Sequence, residues 1–100
     1  MYDMKNLSKM PKLGEFASDA FQAFVAFDKA ALAAGAIPAK YKELIAIAVA
    51  LTTQCPYCIE LHVAKARQSG ASDQELAETT LVAAALRAGA AITHGTHLFK

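Results

Sequence analysis

The pattern of apolar and polar positions along the chain predicts helices, and no strand pattern competes with it. Between about residues 13 and 34 there is no proline, and apolar side chains recur at helical spacing. A stripe of this kind normally packs inside a protein, so we expect core residues here rather than a cofactor-stacking surface. Gly35 ends this first helix, and Pro38 follows in the linker. The stripe consists of Phe16, Ala20, Phe24, Phe27 and Ala31.

Three more helices are predicted after this linker. The second runs from about Ala39 to Gln54, and its body from Leu44 to Leu51 is apolar on nearly every side. A helix that is apolar all round belongs inside a bundle, so we expect this one to be central.

The third helix is predicted to begin at a pair of cysteines and to run to Ser69, with Gly70 as its stop. Ser72 and Glu75 form a capping box, which predicts a fourth helix that ends between residues 88 and 91. The fold class is therefore predicted to be all-α, a bundle of about four main helices with the cysteine pair at the start of the third.

The two ends of the chain are predicted to lie outside this bundle. Residues 1–12 are polar and mixed, as in a loosely held N-terminal arm, and residues 92–100 form a C-terminal tail. A length of 100 residues is near the common size of one domain, so residues 1–100 are expected to form a single domain.

Composition predicts that copies of the chain associate. Hydrophobic residues make up 55% of the sequence and charged residues only 19%, which is few for a small domain with much surface. We therefore expect a homo-oligomer, in which other copies cover part of that surface.

Charge and hydropathy argue against two other classes of partner. The net charge is +1 and no basic run is present, so nucleic acid and anionic membranes are not expected partners. Residues 1–12 lack an apolar signal core, and the longest apolar run, Leu44 to Leu51, is far too short to span a bilayer. A cytoplasmic location is predicted, where a CxxC pair is more often catalytic or metal-binding than a permanent disulfide.

The candidate chemistry centres on two cysteines and a histidine. Cys55 and Cys58 frame a CxxC motif, and Pro56 suits the first turn of a helix. The free N–H groups and the positive dipole end at a helix start favour thiolate. His62 follows Cys58 by one turn on the same face, so it can take the thiol proton or stabilise the charge. The pattern indicates a redox thiol site.

Glu43 is the candidate partner of this histidine. If the second and third helices form an antiparallel hairpin that turns near Gln54, Glu43 lies about 16 Å before the turn and His62 about 11 Å after it. A glutamate side chain spans that offset, and it would orient His62, which in turn serves Cys58. The alternative is a solvent-exposed glutamate at a helix start, beside a histidine satisfied at the helix surface.

Two other interpretations of the cysteine pair stay open. Cys55, Cys58 and His62 could be three zinc ligands, with His94 or His97 as the fourth. The pair could also be buried and inert. Outside a zinc site, the two C-terminal histidines are expected to be tail residues without chemistry, although His94 could line a pocket.

The chain combines Glu43, the Cys55–Cys58 motif and His62 at a specific spacing, followed by alanines and Gly70. With this pattern the chain resembles the carboxymuconolactone decarboxylase-like family, specifically its alkylhydroperoxidase D-like branch. The resemblance covers about residues 13–91. It implies an all-helical fold whose subunits assemble as dimers, trimers or hexamers. It also implies reduction of peroxides or exchange of disulfides, with electrons from a dithiol such as a lipoyl group and with no bound cofactor or metal.

Carried over by motif, Cys58 resembles the thiol that attacks peroxide, Cys55 its resolving partner, and Glu43 and His62 a proton relay. One departure from the branch matters, because its peroxidase members have a histidine where this chain has Tyr57. That loss weakens the expectation of efficient peroxidase activity more than that of thiol–disulfide exchange.

The predicted function is therefore an enzyme, a thiol-dependent peroxidase or disulfide oxidoreductase. Two alternatives come from other classes. One is a zinc-stabilised interaction module, and the other is a non-redox lyase that uses Glu43 and His62. The lactone decarboxylases of the family lack this CxxC motif, so decarboxylation is not expected.

Overall fold

A computed structural model describes residues 2–100, which form helices and connecting turns without any strand. Four of the helices are long, and the cysteine pair stands at the start of the third of these. The predicted all-α class is therefore confirmed. The α-helices are α1 (Pro11–Phe16), α2 (Ser18–Leu32), α3 (Ala39–Thr53), α4 (Pro56–Gln68) and α5 (Asp73–Gly95), with 3₁₀ helices at Met4–Lys9 and Thr96–Leu98.

Helix α3 lies at the centre and packs against both α4 and α5, as its apolar body predicts. The core that these helices share is small and is made mostly of alanines. Alanine side chains let helix backbones approach closely, but each buries little apolar area. The buried apolar residues are Ile47, Ala50, Ala66, Ala71 and Ala83.

A tight turn joins α3 to α4 and reverses the chain. Gln54 adopts the left-handed conformation, with φ of 57° and ψ of 48°. This is the usual way for a helix to stop within one residue. The Cys55 N–H then donates to the Ala50 carbonyl at 3.1 Å, which ties the start of α4 to the last turn of α3. The predicted hairpin turning near Gln54 is confirmed.

Two helix boundaries differ from those predicted. The first helix is broken at Ala17, with φ of −145° and ψ of 61°, and Asp19 in the next turn favours a new helix start there. The fourth helix continues through Gly89 to Gly95, because a glycine inside a helix costs only about 1 kcal/mol relative to alanine. The prediction that residues 92–100 form a separate tail is therefore wrong for the first four of them.

The prediction of a loosely held N-terminal arm is also wrong. Residues Met4–Lys9 form a 3₁₀ helix, whose start is capped by Asp3 Oδ1 accepting from the Lys5 N–H at 3.0 Å. This segment packs on α4, where Asn6 Nδ2 donates to the Tyr57 hydroxyl at 3.1 Å. No periodic pattern in the sequence predicts this hydrogen bond, because it joins residues that are 51 positions apart.

The aromatic stripe of the first helix is not core in this chain, contrary to expectation. All five residues of the stripe are exposed, and Phe16 and Phe27 have exposed fractions of 85% and 71%. The reason is that α2 contacts α1 and α3 but does not lie along the bundle of α3, α4 and α5.

One chain is consequently extended and exposes much apolar surface. Its Cα radius of gyration is 16.6 Å, whereas a compact domain of 100 residues has about 13 Å. Its accessible surface is 7626 Å², whereas a folded monomer of this mass exposes about 5500 Å². Leu81, Val82 and Leu86 of α5 belong to this excess surface.

Within residues 2–100, the stretch Asp73–Leu98 is long and apolar enough to cross a membrane, judged by length and composition only. Other features of this stretch fit a bundle helix. Ser72 caps its start in the predicted capping box, and Glu75 forms an ion pair of 3.0 Å with Lys40 of α3.

Candidate active site

The two cysteines occupy different positions at the start of α4. Cys55 is the N-cap residue, and its Sγ accepts from the backbone N–H of Cys58 at 3.3 Å. Pro56 fills the first helical position, where no N–H is needed. Both thiols are free, and their sulfur atoms lie 2.7 Å apart. A disulfide, with about 2.05 Å between its sulfurs, can therefore form with little movement of the backbone.

The capping position makes Cys55 the more acidic thiol. The hydrogen bond that its sulfur shares with Cys58 and the bond from the Cys58 N–H both lower the pKa of Cys55. The same sulfur–sulfur hydrogen bond, together with burial, raises the pKa of Cys58 to about 11. The role of attacking thiol carried over to Cys58 would favour the opposite order; here the sulfur–sulfur hydrogen bond and then the Cys58 N–H both stabilise the thiolate of Cys55.

Glu43 and His62 form the contact that the hairpin geometry predicts. The His62 Nδ1 lies 2.6 Å from Glu43 Oε2, and Glu43 is only 7% exposed. The alternative of a solvent-exposed Glu43 is therefore wrong. A carboxylate can only accept, so Nδ1 carries the proton and donates. The other ring nitrogen, Nε2, is left as an acceptor for a substrate or thiol proton.

A cavity of about 400 Å³ brings Cys58 and His62 together. They lie one turn apart on α4, and both line this space, whereas Cys55 and Glu43 lie outside its lining. An imidazole and a thiol on the same wall can pass a proton to or from a bound molecule. The other lining residues are Asn6, Leu7, Met10, Phe24, Asp28, Tyr57 and Leu61.

Several of these lining residues were missed by the sequence analysis. Asn6, Leu7 and Met10 belong to the segment taken for a loose arm, and no pattern marks them. Phe24 and Asp28 stand four residues apart on α2, so a shared face could have been noted. Asp28 also has an electrostatic effect, since its negative charge is one of the smaller contributions that raise the pKa of Cys58.

The arrangement lends the zinc interpretation no support. Among residues 2–100, no three His, Cys, Asp or Glu side chains are placed to hold a metal ion together. His94 and His97 pack against each other with ring centroids 5.9 Å apart, and His94 Nδ1 contacts the Ala90 carbonyl at 2.9 Å. Neither histidine lines the cavity beside Cys58.

Comparison with known proteins gives consistent matches. Residues 18–100 match the profile of the "Carboxymuconolactone decarboxylase family". A crystal structure of a carboxymuconolactone decarboxylase family protein from Legionella pneumophila superposes with a TM-score of 0.77 and 32% identity, covering 82% of this chain and 73% of that one. A protein from Methanobacterium thermoautotrophicum superposes with a TM-score of 0.81 and 30% identity, covering 86% and 97%.

A curated relative is also similar in sequence. A Paracoccus denitrificans protein described as "Uncharacterized protein 4 in cox locus" is 51% identical over 72 residues. The match covers 72% of this chain and 65% of that protein, so the chain spans somewhat less than two thirds of its relative's length.

Proposed function

The chain belongs to the carboxymuconolactone decarboxylase family, and we propose that it is a dithiol oxidoreductase that reduces a hydroperoxide or a disulfide. The observation that carries the proposal is one cluster. Two free sulfurs lie 2.7 Å apart, and a histidine oriented by a buried carboxylate shares a cavity with one of them. The CxxC motif is consistent with the alkylhydroperoxidase D-like branch of the family.

The oxidative step begins at Cys58, the sulfur that faces the cavity. His62 Nε2 takes the thiol proton, and the Glu43 carboxylate stabilises the imidazolium that forms. The Cys58 thiolate attacks one oxygen of the hydroperoxide, which breaks the O–O bond. Sulfur is oxidised to sulfenic acid, and the alkoxide leaves as an alcohol after it receives the proton from His62.

Cys55 then resolves the oxidised sulfur. The Cys58 N–H, one of the causes that lower the pKa of Cys55, does not depend on the oxidation of Cys58, so Cys55 provides a thiolate that attacks the sulfur of Cys58 and displaces hydroxide, which leaves as water after protonation. An external dithiol, such as a lipoyl group, reverses the oxidation by attacking Cys58 and expelling Cys55. The more acidic thiol leaves faster, so the acidity of Cys55 favours this direction of attack. The balance is one hydroperoxide and one dithiol converted to alcohol, water and disulfide.

Disulfide exchange uses the same residues without the sulfenic acid. The Cys58 thiolate attacks a substrate disulfide, and Cys55 displaces the second half from the mixed disulfide. Tyr57 replaces the histidine of the peroxidase members of the branch, so the chain has His62 as the imidazole at this cavity. Because disulfide exchange does not require a proton for a leaving alkoxide, it tolerates the replacement of that histidine by Tyr57 better than peroxide reduction does. A reducing cytoplasm would resupply the donor dithiol.

The test of this function is disulfide formation in the reduced protein after one equivalent of oxidant. We expect both an organic hydroperoxide and oxidised lipoamide to convert the two thiols into a Cys55–Cys58 disulfide, measured by protection from alkylation in mass spectrometry. Thiols that stay free with both oxidants would contradict the proposal. Stoichiometric zinc after reducing purification would favour the interaction module instead, and activity that persists with both cysteines changed to serine would favour the lyase.

We also propose that the chain works as a homo-oligomer. The surface of one chain exceeds that of a compact monomer by about 2100 Å², and α2 exposes the apolar side chains of Phe24, Val25 and Phe27. Specific interfaces bury about 800 Å² on each partner, so the excess is enough for more than one.

Sedimentation at micromolar concentration is expected to show no dominant monomer. Covering Phe16 of α1 and Phe27 of α2 should stabilise the association, so Phe27→Lys should shift the distribution towards smaller species. A matched change at the charged position Lys29→Glu keeps the apolar stripe and serves as the control. A single sharp species near 10.6 kDa in the unmodified protein would refute self-association.

A further inference from the structure

One wall of the cavity comes from the N-terminal segment, defined as Tyr2–Met10. Three of its residues, Asn6, Leu7 and Met10, line the same space as Cys58 and His62. This segment lies before residue 18, where the match to the family profile begins. The wall is therefore a feature of this chain that the family match does not cover.

Tyr57, the second of the two residues between the cysteines, holds this segment in place. Its hydroxyl accepts a hydrogen bond from Asn6 Nδ2 at 3.1 Å, and its ring meets that of Tyr2 edge to face with centroids 5.5 Å apart. Such aromatic pairs prefer this tilted arrangement. The residue that replaces a histidine in the motif thus anchors a wall of the cavity that Cys58 also lines.

The chemistry of the cavity favours one class of molecule. Leu7, Met10, Phe24 and Leu61 give it a largely apolar lining, and about 400 Å³ is within the range of small-ligand pockets. Asp28 adds a negative charge that disfavours anionic molecules. Hydrogen peroxide is too small and polar to gain from the apolar wall, whereas a compact organic group gains by leaving water.

We propose that the segment Tyr2–Met10, anchored by Tyr57, determines the specificity of the site and makes it select compact, uncharged organic hydroperoxides over hydrogen peroxide. This inference rests on the proposed function, since it concerns which oxidant Cys58 meets. Leu7 contributes the apolar surface, and Asn6 and Tyr57 position it.

The test compares kcat/KM for cumene hydroperoxide and for hydrogen peroxide in Leu7→Ser and Tyr57→Phe. We expect Leu7→Ser to lose about tenfold in the ratio of the two values, because a hydrophobic contact of this size discriminates substrates by that order. Tyr57→Phe should lower the ratio in the same direction, because it removes the hydroxyl that accepts from Asn6 and positions the segment. The loss should fall on cumene hydroperoxide alone. Ser8→Ala is the matched control, since Ser8 lies on the same segment but is exposed and outside the cavity lining.

A second readout needs no turnover. In a Cys55→Ser background only Cys58 can be alkylated, and its rates with N-phenylmaleimide and with iodoacetamide report access for a bulky apolar and a small polar reagent. Leu7→Ser should lower the rate with N-phenylmaleimide relative to the rate with iodoacetamide.

The two assays separate the inference from the proposed function. If neither peroxide reacts with the parent protein but Leu7→Ser still lowers this ratio of alkylation rates, the proposed function is wrong, whereas the role of the N-terminal segment in access to Cys58 is supported. Unchanged ratios in both assays, with Leu7→Ser and Tyr57→Phe still folded by circular dichroism, would overturn the inference. If Leu7→Ser unfolds, Tyr57→Phe alone decides in the same way.

Discussion

Replacing Cys58 with serine is expected to abolish peroxide consumption, whereas the Cys55→Ser variant should still react once with each chain. Of the two cysteines only Cys58 lines the cavity beside His62, so only it meets the oxidant there. A serine hydroxyl does not replace a thiolate as the nucleophile towards peroxide. Without Cys55 no thiol condenses with the sulfenic acid on Cys58, so that acid persists. Turnover should be lost completely in both variants, with one equivalent of peroxide consumed by Cys55→Ser.

Mass spectrometry after one equivalent of peroxide separates the two roles. A dimedone adduct is expected on Cys58 in Cys55→Ser, and none in Cys58→Ser. The unmodified protein should carry no adduct, because its sulfenic acid condenses to the disulfide, and the double serine variant gives the baseline. A label on Cys55 would reverse the assignment. It would mean that the lower pKa of Cys55 decides which sulfur attacks, and that the protein is a thioredoxin-style exchanger.

The hairpin and the contact between Glu43 and His62 could be predicted because they depend on local rules. Helical rise fixes how far Glu43 and His62 lie from a turn, and a single left-handed residue, Gln54, is enough to make that turn. The contact of 2.6 Å between the two side chains follows from these two facts. Predictions of this kind need no knowledge of distant parts of the chain.

The features that could not be predicted depend on distant contacts or on one rotamer. The place of the N-terminal segment is set by the Asn6–Tyr57 hydrogen bond across 51 positions, which leaves no periodic trace. The acidity order depends on which sulfur turns back to cap α4, and the spacing of a CxxC motif is the same for either choice. The apolar stripe of α2, from Ala20 to Ala31, has the correct helical period, but period alone does not say whether its own chain or another copy covers it.

Glu43→Gln is expected to slow the reaction of Cys58 at neutral pH by about tenfold or more without unfolding the protein, since acid–base assistance is worth about 10²–10⁴. The pKa of Cys58 is about 11, so at neutral pH its thiolate forms only when His62 takes the proton. Glutamine keeps the shape of Glu43 but removes the charge that stabilises the imidazolium. As pH rises towards 11, Cys58 ionises directly and the need for His62 disappears. The variant and the unmodified protein should therefore differ most near neutrality and converge at high pH.

The measurement is the rate of Cys58 alkylation by iodoacetamide between pH 6 and about 11, which reports ionisation because only ionised thiols react. Mass spectrometry follows the reaction, so that alkylation of Cys55 is counted separately. Glu78→Gln makes the same change of charge at an exposed position of α5 and should leave the profile of Cys58 as it is. Melting temperatures of both variants should stay close to that of the unmodified protein, because glutamine can still accept from His62 Nδ1. Two superimposable profiles for Glu43→Gln and the unmodified protein would show that Glu43 holds the histidine in place but takes no part in moving its proton. A uniform drop at every pH would instead mean that the substitution displaces His62 or Cys58, because a loss of charge alone acts only where the imidazolium is needed.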